Sequence, residues 1–299
     1  MAGAAQPFSG LQEAVASLYG KAVQILRRDP VTGGDINRAY MLKLSDGHIL
    51  FMKENAANKM SLFAREVEGL QAIRKSGAIS VPEVYAYGKD EKDSFLLMQY
   101  VMPGRPKPDF FEDFGRQLAQ MHSADCSAYT DDAKFGFTKD NYIGAGYQEN
   151  TPEEKWISFF RKRRLLPQIR RAEKYFDAME LKAFDRLLER LEDLMVEPDQ
   201  PALLHGDLWS GNYISGTDGR AWLIDPAVYV GHPEADIAMT ELFGGFPMAF
   251  YNGYYEIQGK APGYEDRRDL YNLYHLLNHL NLFGASYLGA ILAVMKRYS

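Results

Sequence analysis

A single cysteine, Cys126, stands among the 299 residues. That excludes an internal disulfide framework and a zinc site built from cysteines. Positive charge is also short: 34 Lys and Arg face 40 Asp and Glu, a net charge of −6. The balance gives no general attraction for the phosphate backbone of nucleic acid. No apolar run approaches the roughly 20 residues that span a bilayer, and Met1 to Phe8 has neither the basic start nor the apolar stretch of a signal peptide. The expectation is a cytoplasmic protein with no nucleic-acid or membrane partner. There is no internal repeat, low-complexity tract, G-x-G-x-x-G or Walker A sequence. At this length a sizeable core and two lobes are expected, while the oligomeric state stays open.

What is present divides into a strand-rich first third and a helix-rich remainder. Apolar spacing predicts a helix over Leu11–Tyr19, then strands over Ile25–Val31, Ala39–Ser45 and His48–Glu54, the last two joined by a Ser45-Asp46-Gly47 turn. A helix over Lys59–Ser76 is expected to end at Gly77, with strands over Val84–Gly88 and Ser94–Val101 completing a sheet of about five. Met102-Pro103-Gly104-Arg105-Pro106 reads as a linker, placing the lobes at 1–102 and 103–299. Helices follow over Phe110–His122, most of Pro152–Val196, Ala235–Phe243 and Arg267–Phe283. The basic run Arg161–Arg164 reads as a solvated helix face.

The densest chemical signal is His205-Gly206-Asp207-Leu208-Trp209-Ser210-Gly211-Asn212, followed by Ile224-Asp225-Pro226. Phosphoryl transfer from Mg-ATP needs one carboxylate to orient a hydroxyl, and an amide and a second carboxylate for the metal ions. Asp207, Asn212 and Asp225 supply those groups in the order and spacing of the protein-kinase H-R-D-L-x-x-x-N loop and D-F-G. Gly206 and Pro226 depart from that pattern, which points to a small-molecule phosphotransferase. The flanking runs Ala202-Leu203-Leu204 and Ala221-Trp222-Leu223-Ile224 are expected to form two strands converging on a hairpin, with the three residues at one end.

Upstream, Gly33-Gly34 between the first two strands would let backbone N–H groups approach phosphate oxygens, with Asn37 nearby. Lys53 ends the third strand. Glu66, better placed than Glu68 relative to Leu62 and Leu70, is its expected ion-pair partner and would hold it toward the α- and β-phosphates. Asp236, at the start of an apolar helix, resembles the buried carboxylate that ties down the catalytic-loop backbone in kinase folds, and His205 is expected to brace that loop. His275 and His279 are read as packing residues.

Over nearly its whole length the chain resembles the fructosamine-3-kinase (ketosamine kinase) family. The resemblance is carried by Gly33–Tyr40, Phe51-Met52-Lys53, Glu66–Leu70, His205–Asn212, Ile224–His232, Glu234–Gly245 and Tyr274–Gly284. Trp209-Ser210 and the long match after Asp225 set it apart from aminoglycoside and choline kinases. The resemblance implies an α+β, protein-kinase-like bilobal fold: a small, mostly antiparallel N-terminal lobe, a mostly helical C-terminal lobe and ATP between them. It implies transfer of the γ-phosphate to the 3-hydroxyl of a fructosamine or related ketosamine, giving an unstable adduct that leaves the amine, a deglycation reaction. By position, Asp207 would be the base, Asn212 and Asp225 would hold Mg²⁺, and Lys53 with Glu66 would meet the phosphates. Adenine would be received near Met98, Gln99, Tyr100 and Val101. Apart from the resemblance, Trp209, two residues after Asp207, offers an indole face to stack on the acceptor sugar, the competing reading being a core residue that braces the hairpin. The alternatives are a kinase of another small hydroxyl compound and a silent kinase fold used for binding. Retention of Asp207, Asn212 and Asp225 argues against the second.

Overall fold

A computed structural model describes residues 7–32, 36–130 and 134–298. The Gly33-Gly34 phosphate loop and Asp35 lie outside the described residues. The chain divides into two compact units, Met1–Phe110 with Ile214–Asp225, and Phe111–Tyr213 with Pro226–Ser299.

Alternating apolar residues build the first unit's sheet. Its strands are β1 (Pro7–Phe8), β2 (Ile25–Val31), β3 (Arg38–Leu44), β4 (Ile49–Ala56), β5 (Val84–Lys89) and β6 (Asp93–Gln99), in the order β1-β5-β6-β4-β3-β2. All neighbours are antiparallel except β1 with β5. The β3–β4 turn is the expected one, with Gly47 at φ +94° and Asp46 accepting the His48 N–H. Leu50 and Met52 of β4 and Phe95 and Leu97 of β6 pack with Ala14 and Val15 of α1 (Leu11–Tyr19). Because successive strand residues face opposite ways, Lys53 turns to the other face, where α2 (Met60–Ser76) lies. There α2 buries Phe63, Val67, Leu70 and Ile73, and it ends on Gly77 in the left-handed conformation, φ +68°. Fully burying side chains of this size stabilises a fold by about 1.5–3 kcal/mol each, so α2 is firmly fixed.

The hairpin expected from Ala202–Leu204 and Ala221–Leu223 does not form. Ala202–Leu204 pairs with Tyr229–Gly231, and Ala221–Leu223 pairs with Tyr213–Ser215. The physical reason is local. The turn at Gly216–Gly219, with Gly219 at φ +72°, brings Tyr213–Ser215 back onto Ala221–Leu223. The tight Tyr213–Ser215/Ala221–Leu223 hairpin belongs almost entirely to the first unit. Leu223 N–H donates to Ser80 O at 2.9 Å and Gly104 N–H to Ser215 O at 2.8 Å. Met102–Pro106 therefore runs beside this hairpin, and the first unit extends to Phe110.

The second unit is helical: α3 (Phe110–His122), α4 (Trp156–Phe159), a π-helical segment Phe160–Leu165, α5 (Leu166–Ala172), α6 (Ala178–Glu189), α7 (Leu191–Leu194), α8 (Glu234–Glu241), α9 (Met248–Gln258), α10 (Tyr264–Phe283) and α11 (Leu288–Tyr298). Its centre is aromatic, with Trp156, Phe159, Phe160, Tyr229 and Tyr271 essentially buried. No helix among the described residues is long and apolar enough to cross a membrane.

Candidate active site

In the first unit, three charged groups meet. Lys53 Nζ donates to Glu66 Oε1 at 2.6 Å and also bonds Asp225 Oδ1. The choice between acids on α2 is clear, since Glu68 pairs with Arg65 at 2.8 Å. Burial works against the Lys53 ammonium, but Asp225 and Glu66 outweigh it and hold its pKa above that of an ordinary lysine. Burial pushes the Glu66 carboxyl up, with Lys53 opposing and Asp225 adding to the rise. The Asp225 side chain keeps 45% exposure, against 8% for Lys53. Asp225 also adopts φ +55°, a left-handed conformation uncommon for a residue with a Cβ. An exposed carboxylate on a strained backbone, beside a buried cation, is free to take another cation.

In the second unit, the segment His205–Asn212 is held by its backbone. Asp236, on α8 and 1% exposed, accepts His205 N–H at 2.7 Å on Oδ2 and Gly206 N–H at 2.8 Å on Oδ1. Burial alone would raise the Asp236 carboxyl, yet His122, His205 and the Gly206 N–H hold it below the ordinary value. His122 Nε2 lies 3.2 Å from Asp236 Oδ2, and its Nδ1 lies 2.8 Å from Tyr254 Oη. Since a carboxylate only accepts, Nε2 carries the proton and Nδ1 takes the Tyr254 hydroxyl. Gly206 is required: at φ +81° a Cβ would lie 2.1 Å from Ala227 O. His205 Nδ1 accepts the Asp207 N–H at 3.3 Å, the bracing expected of it.

Asn212 Nδ2 donates to Asp207 O at 2.7 Å and to Asp207 Oδ2 at 3.1 Å. The amide donor is thus committed to Asp207, and Asn212 Oδ1, the atom a cation needs, takes no part in these bonds. Asp207 is half-buried, and Trp209 lies beside it with its ring against Gly211. Asn212, in the second unit, and Asp225, in the first, each carry an oxygen donor of the kind that a hard cation such as Mg²⁺ takes.

Arg164 and the amide network that it anchors were not foreseen. Arg164 is fully buried, a correction to the solvated face expected of Arg161–Arg164. Its neighbours reach acids: Arg161 to Glu192, Lys162 to Glu153, and Arg163 to Glu149 and Glu153. The cause is Pro167, which has no N–H to give to the carbonyl four residues earlier. Arg164 Nη1 supplies a donor to that carbonyl, Arg163 O, at 3.0 Å. Its Cζ sits 3.9 Å over the Tyr229 ring, and Nη2 donates to Asn150 Oδ1 at 2.7 Å. Asn150 and Gln148 both donate to Asn141 Oδ1, at 2.9 and 2.7 Å. Asn141 and Gln148 in turn donate to Val228 O at 2.7 Å and Ala227 O at 3.0 Å. A buried polar network therefore fixes the chain that follows Asp225-Pro226. The sequence signal was Arg164 at helical spacing from Phe160, Ile157 and Gln168.

Comparison with known proteins gives one consistent result. The fructosamine kinase family description matches residues 8–299. A probable ketoamine kinase of Synechocystis is 39% identical over 286 residues, 94% of this chain and 93% of that one. The solved structure of a candidate fructosamine-3-kinase from Thermobifida fusca is 33% identical with a TM-score of 0.82, covering 97% of this chain and 99% of that one. An aminoglycoside phosphotransferase, 18% identical with a TM-score of 0.64 over 96% of this chain and 97% of its own, shares the protein-kinase-like α+β fold and nothing more. The chain belongs to the fructosamine kinase family.

Proposed function

We propose that this chain is an ATP-dependent ketosamine kinase that phosphorylates the 3-hydroxyl of fructosamine-type adducts and so frees the amine, acting in the cytoplasm. The observation that carries the reading is the family match over residues 8–299. Asp207 accepts the proton of the acceptor hydroxyl as its oxygen bonds to the γ-phosphorus. The bond from that phosphorus to the β-phosphate oxygen breaks, and ADP leaves. Asn212 holds the Asp207 carboxylate at 3.1 Å and offers its Oδ1 to Mg²⁺, as Asp225 offers its carboxylate. When bound, Mg²⁺ neutralises charge on the phosphate oxygens. Lys53, fixed by Glu66, contributes the positive charge for the phosphates. Gly33, Gly34 and Asn37 are assigned to phosphate contacts. Asn37 Oδ1 accepts from Asn55 Nδ2 at 2.8 Å, which ties the end of that loop to β4. Met98 and Gln99 are paired inside β6, and the Gln99 N–H already donates to Glu83 O. Tyr100 and Val101, past the end of the strand, are the better positions for the adenine edge.

The test is a coupled assay of ADP release against fructosyl- and ribulosyl-lysine, free sugars, choline and aminoglycosides. Turnover is expected with the ketosamines, together with phosphate on O3. Turnover with an aminoglycoside, choline or a free sugar but with no ketosamine would overturn the reading.

A further inference from the structure

Five rings of the second unit form a continuous, partly exposed wall that starts on the catalytic loop. Trp209 lies against Gly211, where a Cβ would come within 2.4 Å of the indole. Its ring centroid is 6.4 Å from that of Phe243, edge to face at 84°. Phe243 is 4.8 Å from His279, which is 5.1 Å from Tyr287 and 5.5 Å from Phe283. Phe243 is 38% exposed and Phe283 48% exposed.

Phe243 also adopts φ +55°, and Gly244 and Gly245 follow it. A phenylalanine in the left-handed region pays a conformational penalty, and here the strain is spent on keeping an apolar ring at the surface. Such outliers gather at ligand sites. His279 Nδ1 lies 2.8 Å from His275 O, so Nδ1 carries the proton and Nε2 is left as an acceptor. Burial lowers the His279 pKa, and the ring is neutral at pH 7.

The chemistry of the acceptor indicates what this wall meets. In a ketosamine the amine nitrogen is on C1, two carbons from the hydroxyl-bearing C3. Whatever the nitrogen carries must therefore leave the sugar close to the catalytic loop. The nitrogen is a secondary ammonium at neutral pH, which aromatic faces attract, and a neutral imidazole adds no opposing charge. We propose that Trp209, Phe243, His279, Phe283 and Tyr287 form a subsite for the amine-borne part of the acceptor, selecting ketosamines whose amine carries an apolar or aromatic group. This rests on the ketosamine kinase reading above.

Two acceptors with the same sugar test it, fructosyl-methylamine and fructosyl-phenethylamine. Wild-type enzyme is expected to show a KM about tenfold lower for the second, a modest value for apolar burial in a pocket. The informative variant is Phe243→Gly, because glycine adopts φ +55° without strain. Its melting temperature should hold or rise while the KM ratio falls to about one; a Phe243 needed only for folding would give a lower melting temperature and an intact ratio. Phe283→Ala should lower the ratio as well. Equal KM values in wild type, or a ratio that survives in Phe243→Gly, would overturn the subsite alone. Absence of turnover with both compounds would overturn the ketosamine reading, and the subsite with it.

Discussion

Lys53 keeps its charge in a place where burial alone would remove it, because two carboxylates share its ammonium. One of them, Glu66, is 12% exposed and fixed on α2; the other, Asp225, is 45% exposed. The asymmetry suits different tasks, a permanent partner and one that can be exchanged. Asp225→Ala should therefore weaken the Mg²⁺-dependent part of ATP binding, leaving metal-free nucleotide binding close to wild type. On the proposed reading Asp207→Asn removes the base without removing the bond network around it, since Asn212 also donates to Asp207 O. Its kcat should fall by about 10² or more, with Mg-ATP affinity within a few-fold of wild type. Calorimetric titration of ATP with and without Mg²⁺, beside steady-state kinetics, separates the two variants; an equal loss of turnover and affinity in both would refute the separation of roles. The Lys53–Glu66 pair was legible in sequence because strand and helix periodicity place the two residues on neighbouring elements. Arg164 was not, because nothing in a run of four basic residues says which one faces inward until Pro167 and the neighbouring rings are considered together.

At the scale of elements, the long ones followed from pattern alone. The α1 and α2 helices, the β3–β4 turn and the Gly77 stop each have several residues acting in concert, so local preference and burial agree. The strands around the catalytic loop are three residues each, and their pairing was misread. With so few apolar positions, register and partner are set by the nearest tight turn and by contacts far away in sequence. The π-helical segment Phe160–Leu165 is the element where a rule is broken and a use is visible, since it lets Arg164 reach Asn150 and the network beyond it. Arg164→Met keeps much of the volume over Tyr229 but leaves the Arg163 carbonyl and Asn150 without their donor. A stability loss of about 2–4 kcal/mol is expected for such a buried network. Tyr274→Phe is the milder probe, deleting a hydroxyl that donates to Gln148 Oε1 at 2.6 Å. It should reduce kcat several-fold with little change in melting temperature. An unaltered kcat in Tyr274→Phe would confine the network to stability.

Over the whole molecule, acid response should be governed by histidines buried in the neutral form in the second unit. Burial, the main cause in both, lowers His232 to about 4 and His275 to about 3. His232 Nδ1 accepts the Glu234 N–H at 3.1 Å, a bond that the protonated ring could not accept. In an unfolded chain the same rings titrate near 6.5. The sign follows directly. Between pH 6.5 and the folded values the unfolded state binds more protons, so stability falls as pH falls, levelling off for His232 below about 4 and for His275 below about 3. Between pH 7 and 5 each ring should cost about 2 kcal/mol. Asp236 acts in a lower window: its folded pKa is depressed, so its contribution is complete above the unfolded carboxylate value and is lost only as pH drops below it. Two stages are therefore expected, a histidine stage from about pH 6.5 downward and a carboxylate stage beneath it. Urea titrations read by far-ultraviolet circular dichroism, to which the helical second unit contributes most, should show the midpoint falling steadily from pH 7 to 5. The variant His275→Gln should flatten that slope measurably, because one depressed ring is removed while His232 and the less buried His279 remain. A midpoint that stayed level from pH 7 to 5 in wild type would mean that the rings are hydrated and titrate normally, contrary to their burial here.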